Sequence, residues 1–342
     1  MTSRELVKAT LEFRNTTARV PRQLWTLPWA EMHHKSEFDR IMNKYVWDIS
    51  YPDTVYAVEN PAKKGNPDII GESTDDWGCV FTSIQAGVVG EVKTPLIDED
   101  DIDWEDTSKV HFPEELLSFD VDKVNESCRK SDKFMMSGIT PRPFEQMQFI
   151  RGTENLYIDL ATKNEGMLKF LSKMHDFYCR AMEKWAETEV DALSFMDDWG
   201  AQRSLLINPE LWREIFKPLY KDYIDIAHSH GKKIFMHSDG YTMEIIPDLI
   251  ELGLDAINTQ IFCMNIEELS KFRGKITFWG EICRQNILPH GSIKDVEAAV
   301  ERVYKNLWDN GGCIAQCEFG PAAKPENVEA VFETWNRIHP GK

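Results

Sequence analysis

The chain is short of positive charge. It has no long apolar run, no CxxC pair and no Gly/Ser-rich linker, and each absence removes a class of protein. Lys and Arg number 39 against 57 Asp and Glu, a net charge of −18 at neutral pH. Nucleic-acid binding rests on cations set against phosphates, so such a surface argues against it. No stretch approaches the roughly 18–20 consecutive apolar residues of a membrane span. Met1 to Arg19 has Glu and Arg scattered through it and lacks the apolar core of a secretory leader, so a cytoplasmic location is expected. The seven cysteines are odd in number and form no small-domain disulfide framework, which points to free or metal-bound thiols in a reducing compartment. A phosphate-binding glycine loop and a serine-nucleophile elbow are also missing. No internal repeat divides the chain, so residues 1–342 are read as one domain.

Hydrophobic residues make up 42%, and there are 11 Trp and 18 Phe, enough for a large core and an aromatic-lined pocket. Five stretches in the C-terminal half share a pattern: a short β-prone run closed by a polar or metal-competent residue. Ala192–Met196 ends at Asp197 and Asp198, and Lys233–Met236 ends at His237, Ser238 and Asp239. Asp255–Ile257 ends at Asn258, Ile276–Gly280 at Glu281, and Cys313–Gln316 at Cys317 and Glu318. The starts near 192, 233, 255, 276 and 313 are separated by 41, 22, 21 and 37 residues, each room for a crossover helix. Strand alternating with helix implies a parallel sheet. The same spacing carried upstream leaves room for three more strands. This predicts a single distorted (β/α)8 TIM-type barrel, with the strand at Pro21–Trp29 as its first and an irregular insertion at Tyr51–Pro141.

Helices are predicted at Ser3–Phe13 with Ser3 as N-cap, from Asn208, at Tyr241–Leu252, from Ser292, and at Glu326–Ile338. Met167, Phe170, Leu171, Met174, Phe177, Tyr178, Ala181 and Trp185 recur at helical spacing and read as core. In the helix after Asn208, Leu211, Ile215, Leu219, Tyr223 and Ile226 are expected to face inward, with a bend at Pro218.

In a parallel barrel all strand C-termini open on one face, and that face carries the site. His237 and Asp239, two apart on an extended segment, point the same way. With Glu281 and Cys317 they offer a His/Cys/carboxylate set that suits zinc. A polar mouth that binds an organic anion by hydrogen bonds alone is the other reading. Asp197 and Asp198 are paired carboxylates for acid–base work, with Gln202 nearby to hold a substrate oxygen. Trp199, Asn258, Trp279 and Glu318 are candidate substrate contacts. The acidic run at 98–106 reads as solvated surface, with a metal-binding loop as the alternative. Arg203 reads as a surface residue, and His228 and His230 as structural residues at a helix C-terminus.

The segments Met196–Gln202, Phe235–Gly240 and Ile276–Gly280, with the closing Pro325-Glu326-Asn327, resemble the uroporphyrinogen decarboxylase superfamily, most strongly from Arg151 onward. Asp75–Cys79 resembles a segment of its cobalamin-dependent methyltransferase branch. The arginine-rich N-terminal segment of the porphyrinogen decarboxylases is absent from Arg22–Trp29, which argues against a porphyrin. The methyltransferase branch implies a zinc site from a His-x-Cys pair and a later Cys. His237 matches that His, Cys317 stands ten residues before Asn327 as the later Cys does, and Asp239 replaces the first Cys. The resemblance therefore implies a mixed zinc site completed by Asp239 or Glu281. It also implies transfer of a methyl group from a small donor, a methyl ether by preference, to a corrinoid (cobalamin) carried by a partner protein. The alternatives are a metal-free decarboxylase or lyase on a non-porphyrin substrate, and a non-catalytic binding protein that kept the barrel.

Overall fold

A computed structural model describes residues 1–98, 104 and 106–341, so most of the acidic run at 98–106 lies outside the described residues. The strands are β1 (Arg22–Thr26), β2 (Ile49–Ser50), β3 (Gly71–Thr74), β4 (Val80–Ser83), β5 (Glu91–Val92) and β6 (Phe134–Met135). They continue with β7 (Ala192–Met196), β8 (Lys233–Ser238), β9 (Ala256–Thr259), β10 (Thr277–Trp279) and β11 (Cys313–Phe319). Six of them form one parallel sheet in the order β1-β11-β10-β9-β8-β7, and β2 pairs in parallel with β6. A parallel bridge from Met136 to Ala192 ties β6 to β7. On the other side, Asp48 N donates to Arg22 O at 2.9 Å, bringing β2 to β1. The fold class is the expected one, a curled parallel sheet of (β/α)8 type wrapped in helices.

The Tyr51–Pro141 insertion holds an antiparallel sheet, β3-β4-β5, which the weak periodicity there did not predict.

Side-chain alternation along the strands sorts the interior into two parts. Ala192, Phe235, Ala256, Trp279 and Ile314 point into the barrel, where they pack with Val7 and Leu11 of the helix Ser3–Leu11. That helix covers the N-terminal end of the barrel. Its N-cap is Thr2 rather than Ser3, and Thr2 and Glu5 form a capping box. Residues of the opposite parity, among them Leu193, Phe195, Ile234, Met236, Cys313, Ala315 and Cys317, pack outward against the helices.

The long helices Glu165–Ala186 and Pro209–Ser229 form much of that outer layer. The stripe from Met167 to Trp185 is buried as expected. On Pro209–Ser229 the buried face is rotated by one residue from the expected one. Trp212, Phe216, Tyr220, Tyr223 and Ala227 face the core, and Leu211, Ile215, Leu219 and Ile226 flank it. Aromatic area decides this, because each fully buried Phe-sized side chain contributes about 1.5–3 kcal/mol. Asn208, Ser292 and Gly253 end their helices as predicted, but the segment before Gly253 is helical only over Ile246–Leu252.

Candidate functional site

The polar mouth is built by the residues that continue the inward parity of β7 to β11. His237 follows Phe235 on β8, and Asp239 follows His237. Asp198 continues Ala192, Ser194 and Met196 beyond β7. Asn258 is the last inward residue of β9, Glu281 comes two after Trp279, and Glu318 lies four after Ile314 on β11.

The two loops after β7 and β8 are pressed together. Asp197 N donates to His237 O at 3.1 Å, Gly200 N to Asp239 O at 3.0 Å, and Tyr241 N to Ala201 O at 2.9 Å. Gly240 has φ +73°, and a Cβ there would run into the Gly200 carbonyl, so only glycine lets the backbones meet. This contact sets Asp198 against His237 and Asp239.

His237 Nδ1 lies 2.7 Å from Asn258 Oδ1. An amide oxygen only accepts, so Nδ1 carries a proton and Nε2 is the nitrogen turned to the mouth. The Asn258 amide nitrogen in turn donates to Trp279 O and to Gln316 Oε1, which fixes its orientation. Nε2 faces Asp198 Oδ1 at 3.5 Å and Asp239 Oδ1 at 3.6 Å. Asp198 Oδ1 accepts from Asp239 N at 2.8 Å. Asp239 Oδ2 accepts from Arg284, while Oδ1 is buried and has no hydrogen-bond partner. One donor atom each from Asp198, His237 and Asp239 lies within 4.8 Å of the others, so the three are near enough to hold a metal ion.

Arg284 is the cation bonded to the carboxylates of the mouth, and Arg203, read from sequence as a surface residue, lines the cleft beside it. Besides Asp239, Arg284 meets Glu318 Oε2 at 3.0 Å and Glu281 Oε1 at 3.7 Å. One guanidinium shared among three carboxylates does not neutralise them all. Burial is the main cause that pushes Glu281 up to about 8; Arg284 opposes it, and Asp239 and Glu318 add to it. Asp198 is raised too, by burial first, with His237 opposing. Glu145, in the first turn of the helix Pro143–Arg151, is pushed up to about 7 by burial and by Asp198, and its Oε2 is buried without a partner. A cleft of about 380 Å³ lies beside the mouth, lined by Gln202, Gln260, Phe262, Glu281 and Arg284 among others.

The residues singled out from sequence thus divide. His237, Asp239 and Asp198 come together, whereas Cys317, expected beside His237 with Asp239 or Glu281 or both, is not in this group and Glu281 stands apart from it. Glu281, Gln202 and Glu318 line the cleft or its rim. Cys317 is fully buried with its side chain in the outer sheet–helix core, because its parity is opposite to that of Gln316 and Glu318. Asp197 also faces outward. Its Oδ1 accepts from Glu145 N at 2.9 Å and its Oδ2 from Tyr220 Oη at 2.5 Å. Trp199 is fully buried, stacked on Phe144 with centroids 4.1 Å apart, and its indole N–H donates to Tyr220 Oη at 2.7 Å. Neither reaches the mouth. Trp279 points into the barrel, its N–H on Gln23 Oε1 at 2.7 Å. Asn327 donates to Leu288 O and Gly291 O and clamps the short helix Ile287–His290.

Sequence reasoning missed Arg284, Glu145 and Trp25, whose ring centroid is 5.1 Å from that of His237. Arg284 carried a usable signal. A mouth with four inward carboxylates calls for a cation, and Arg284 stands three residues after Glu281.

Comparison with known proteins adds a family and a fold. The sequence profile for uroporphyrinogen decarboxylase (URO-D) matches residues 82–338. No curated protein matches the chain. A methyltransferase from Methanosarcina mazei has a similar structure, with a TM-score of 0.68 at 12% identity over 99% of each chain. A B12-independent methionine synthase from Shewanella aligns more weakly, with a TM-score of 0.46 and 11% identity over 64% of this chain and 66% of that one. No helix among the described residues is long and apolar enough to cross a membrane.

Proposed function

The chain belongs to the uroporphyrinogen decarboxylase family, and on that premise we propose that it is a zinc-dependent methyltransferase that moves a methyl group from a small methylated donor, a methyl ether by preference, to a corrinoid on a partner protein. The observation that carries the reading is the convergence of His237 Nε2, Asp198 Oδ1 and the unpartnered, buried Asp239 Oδ1. A buried carboxylate oxygen without a donor is costly unless a cation meets it. One imidazole and two carboxylates fit zinc, with a position left for substrate. The full-length likeness to a methyltransferase agrees with a barrel of this kind hosting methyl transfer.

Zinc held there supplies Lewis acidity toward the heteroatom that carries the methyl group. The chain does the rest. Asn258 holds the His237 ring and its tautomer. Arg284 orients Asp239 and offsets part of the mouth's charge. Glu281, which burial pushes up to about 8 in the metal-free fold, stands in the cleft as the candidate proton donor for a leaving oxygen. The lining Gln202 and Gln260 offer hydrogen bonds to a polar donor.

Elemental analysis of protein purified without chelators is expected to show zinc, with about one ion per chain lost in His237→Ala and in Asp239→Asn. Loss of the reduced-corrinoid absorbance on adding a methyl ether is the activity readout. Zinc-replete protein that leaves the corrinoid unchanged across O-, S- and N-methyl donors overturns the reading.

A second reading, a metal-free decarboxylase, is favoured by the same two raised carboxyls. Burial pushes Glu281 up to about 8 and Glu145 up to about 7, which sets them apart from ordinary carboxylates, the separation that acid–base chemistry uses. Carbon dioxide released from a carboxylated substrate without corrinoid and without zinc selects it.

A further inference from the structure

Away from the mouth, the two long outer helices bring three more ligand-type side chains together. His175 and Cys179 stand four residues apart on Glu165–Ala186, and Asp222 reaches them from Pro209–Ser229. His175 Nε2 lies 2.9 Å from Asp222 Oδ2 and 3.4 Å from Cys179 Sγ. His175 Nδ1 lies 3.1 Å from Tyr223 Oη. The His175 side chain is 10% exposed and that of Asp222 57%, so the cluster opens to solvent on one side.

We propose that His175, Cys179 and Asp222 form a second divalent-cation site, selective for zinc, that staples the two long helices. Positions i and i+4 of a helix present their side chains on one face, which brings the imidazole and the thiol together. Zinc bonds of about 2.0–2.3 Å at tetrahedral angles separate nitrogen, oxygen and sulfur donors by roughly 3.3–3.6 Å. The two observed separations are within half an ångström of that. The donor set of one nitrogen, one sulfur and one oxygen is what borderline-soft zinc takes, and the exposed side leaves its fourth position to water.

The second shell is already in place. With Nε2 on the metal, the Nδ1 proton is donated to Tyr223 Oη, the outer hydrogen bond that metal-bound histidines usually make. The field is also suitable. Burial first, and then Asp222, Asp176 and Glu183, disfavour a thiolate at Cys179, and a cation would relieve the part due to the carboxylates. On binding, the Cys179 thiol gives its proton to solvent and the thiolate takes up the metal.

The mouth trio contains no sulfur, but Cys263 and Cys283 line the cleft beside it, so the thiolate signal is assigned to the outer cluster by its loss in Cys179→Ser. The probe is Co²⁺ alone, titrated into the full-length protein and followed by the cobalt–thiolate charge-transfer absorbance, then displaced with Zn²⁺. A band that saturates by about two equivalents, the mouth taking the other ion without a thiolate band, and that is abolished by zinc is expected. Cys179→Ser should remove it, and Asp222→Asn, an exposed change with little bearing on folding, should weaken it. Tyr223→Phe should cost ~10-fold in affinity, the usual size of an outer-shell loss. Wild-type protein that shows no such band, or a band that survives in Cys179→Ser, overturns the proposal and leaves a plain hydrogen-bonded staple between the helices.

Discussion

His237 is useful only in one tautomer. Asn258 selects it from a site 1% exposed, held by Trp279 O and Gln316 on its far side. Asn258→Ala frees the imidazole to rotate and to change tautomer. Zinc affinity of the mouth should drop ~10- to 100-fold, as outer-shell losses do, while the global fold survives. Isothermal titration of metal-stripped protein measures this, and affinity equal to wild type would mean that Asn258 orients nothing. Glu281 supplies a second residue-scale expectation. Its carboxyl is raised from 4.5 to about 8 in the fold, so the native state binds more protons than the unfolded one between those values. Stability of the metal-free protein therefore falls as pH rises through that window, and the loss is complete above it. Glu281→Gln should flatten that part of the profile and gain most over wild type near pH 9. Urea denaturation across pH tests it, and parallel profiles would contradict it.

At the scale of elements, the alternation of strand side chains decides which of two neighbouring residues reaches the site. Asp197 and Asp198 are adjacent, and sequence alone offers no reason to separate them. The strand end turns one into the helix layer and the other into the mouth. Asp197 joins Tyr220, Trp199 and the Glu145 amide in a buried network whose carboxyl lies well above its ordinary range, mainly through burial. Tyr220→Phe strips the donor from Asp197 and the acceptor from the Trp199 indole. Removal of such partners costs about 1–3 kcal/mol per buried group, so a fall in stability with unchanged specific activity of the folded fraction is expected. Thermal unfolding read beside a turnover assay separates the two effects. Cys317 obeys the same rule. Its spacing to Asn327 was legible in the sequence, but its parity could be known only from the register that pairs Leu24 with Cys317 and leaves Gln316 inside the barrel.

Over the whole molecule, the legible part coincides with the continuous six-stranded sheet. The five strands read from sequence, β7 to β11, have apolar runs long enough to show their period, and they form one continuous ladder with β1. The strands β2 and β6 are two residues long, too short for any periodicity, and sequence could only reserve space for them. They are joined to the rest by the Met136–Ala192 bridge on one side and the Asp48–Arg22 hydrogen bond on the other. Exchange protection follows the cooperative hydrogen-bonded unit to which an amide belongs. The five paired positions between β7 and β8, and the five between β1 and β11, should open only with global unfolding. The two paired positions between β2 and β6 should open more easily, by local separation that leaves the six-stranded sheet intact. Hydrogen–deuterium exchange read by mass spectrometry is expected to label Ile49–Ser50 and Phe134–Met135 well before Ala192–Met196 and Lys233–His237. Equal protection of the two regions would show that the short strands are locked into the same cooperative unit. In that case the helix Ser3–Leu11, which packs against both halves from below, binds them more tightly than the strand hydrogen bonds do.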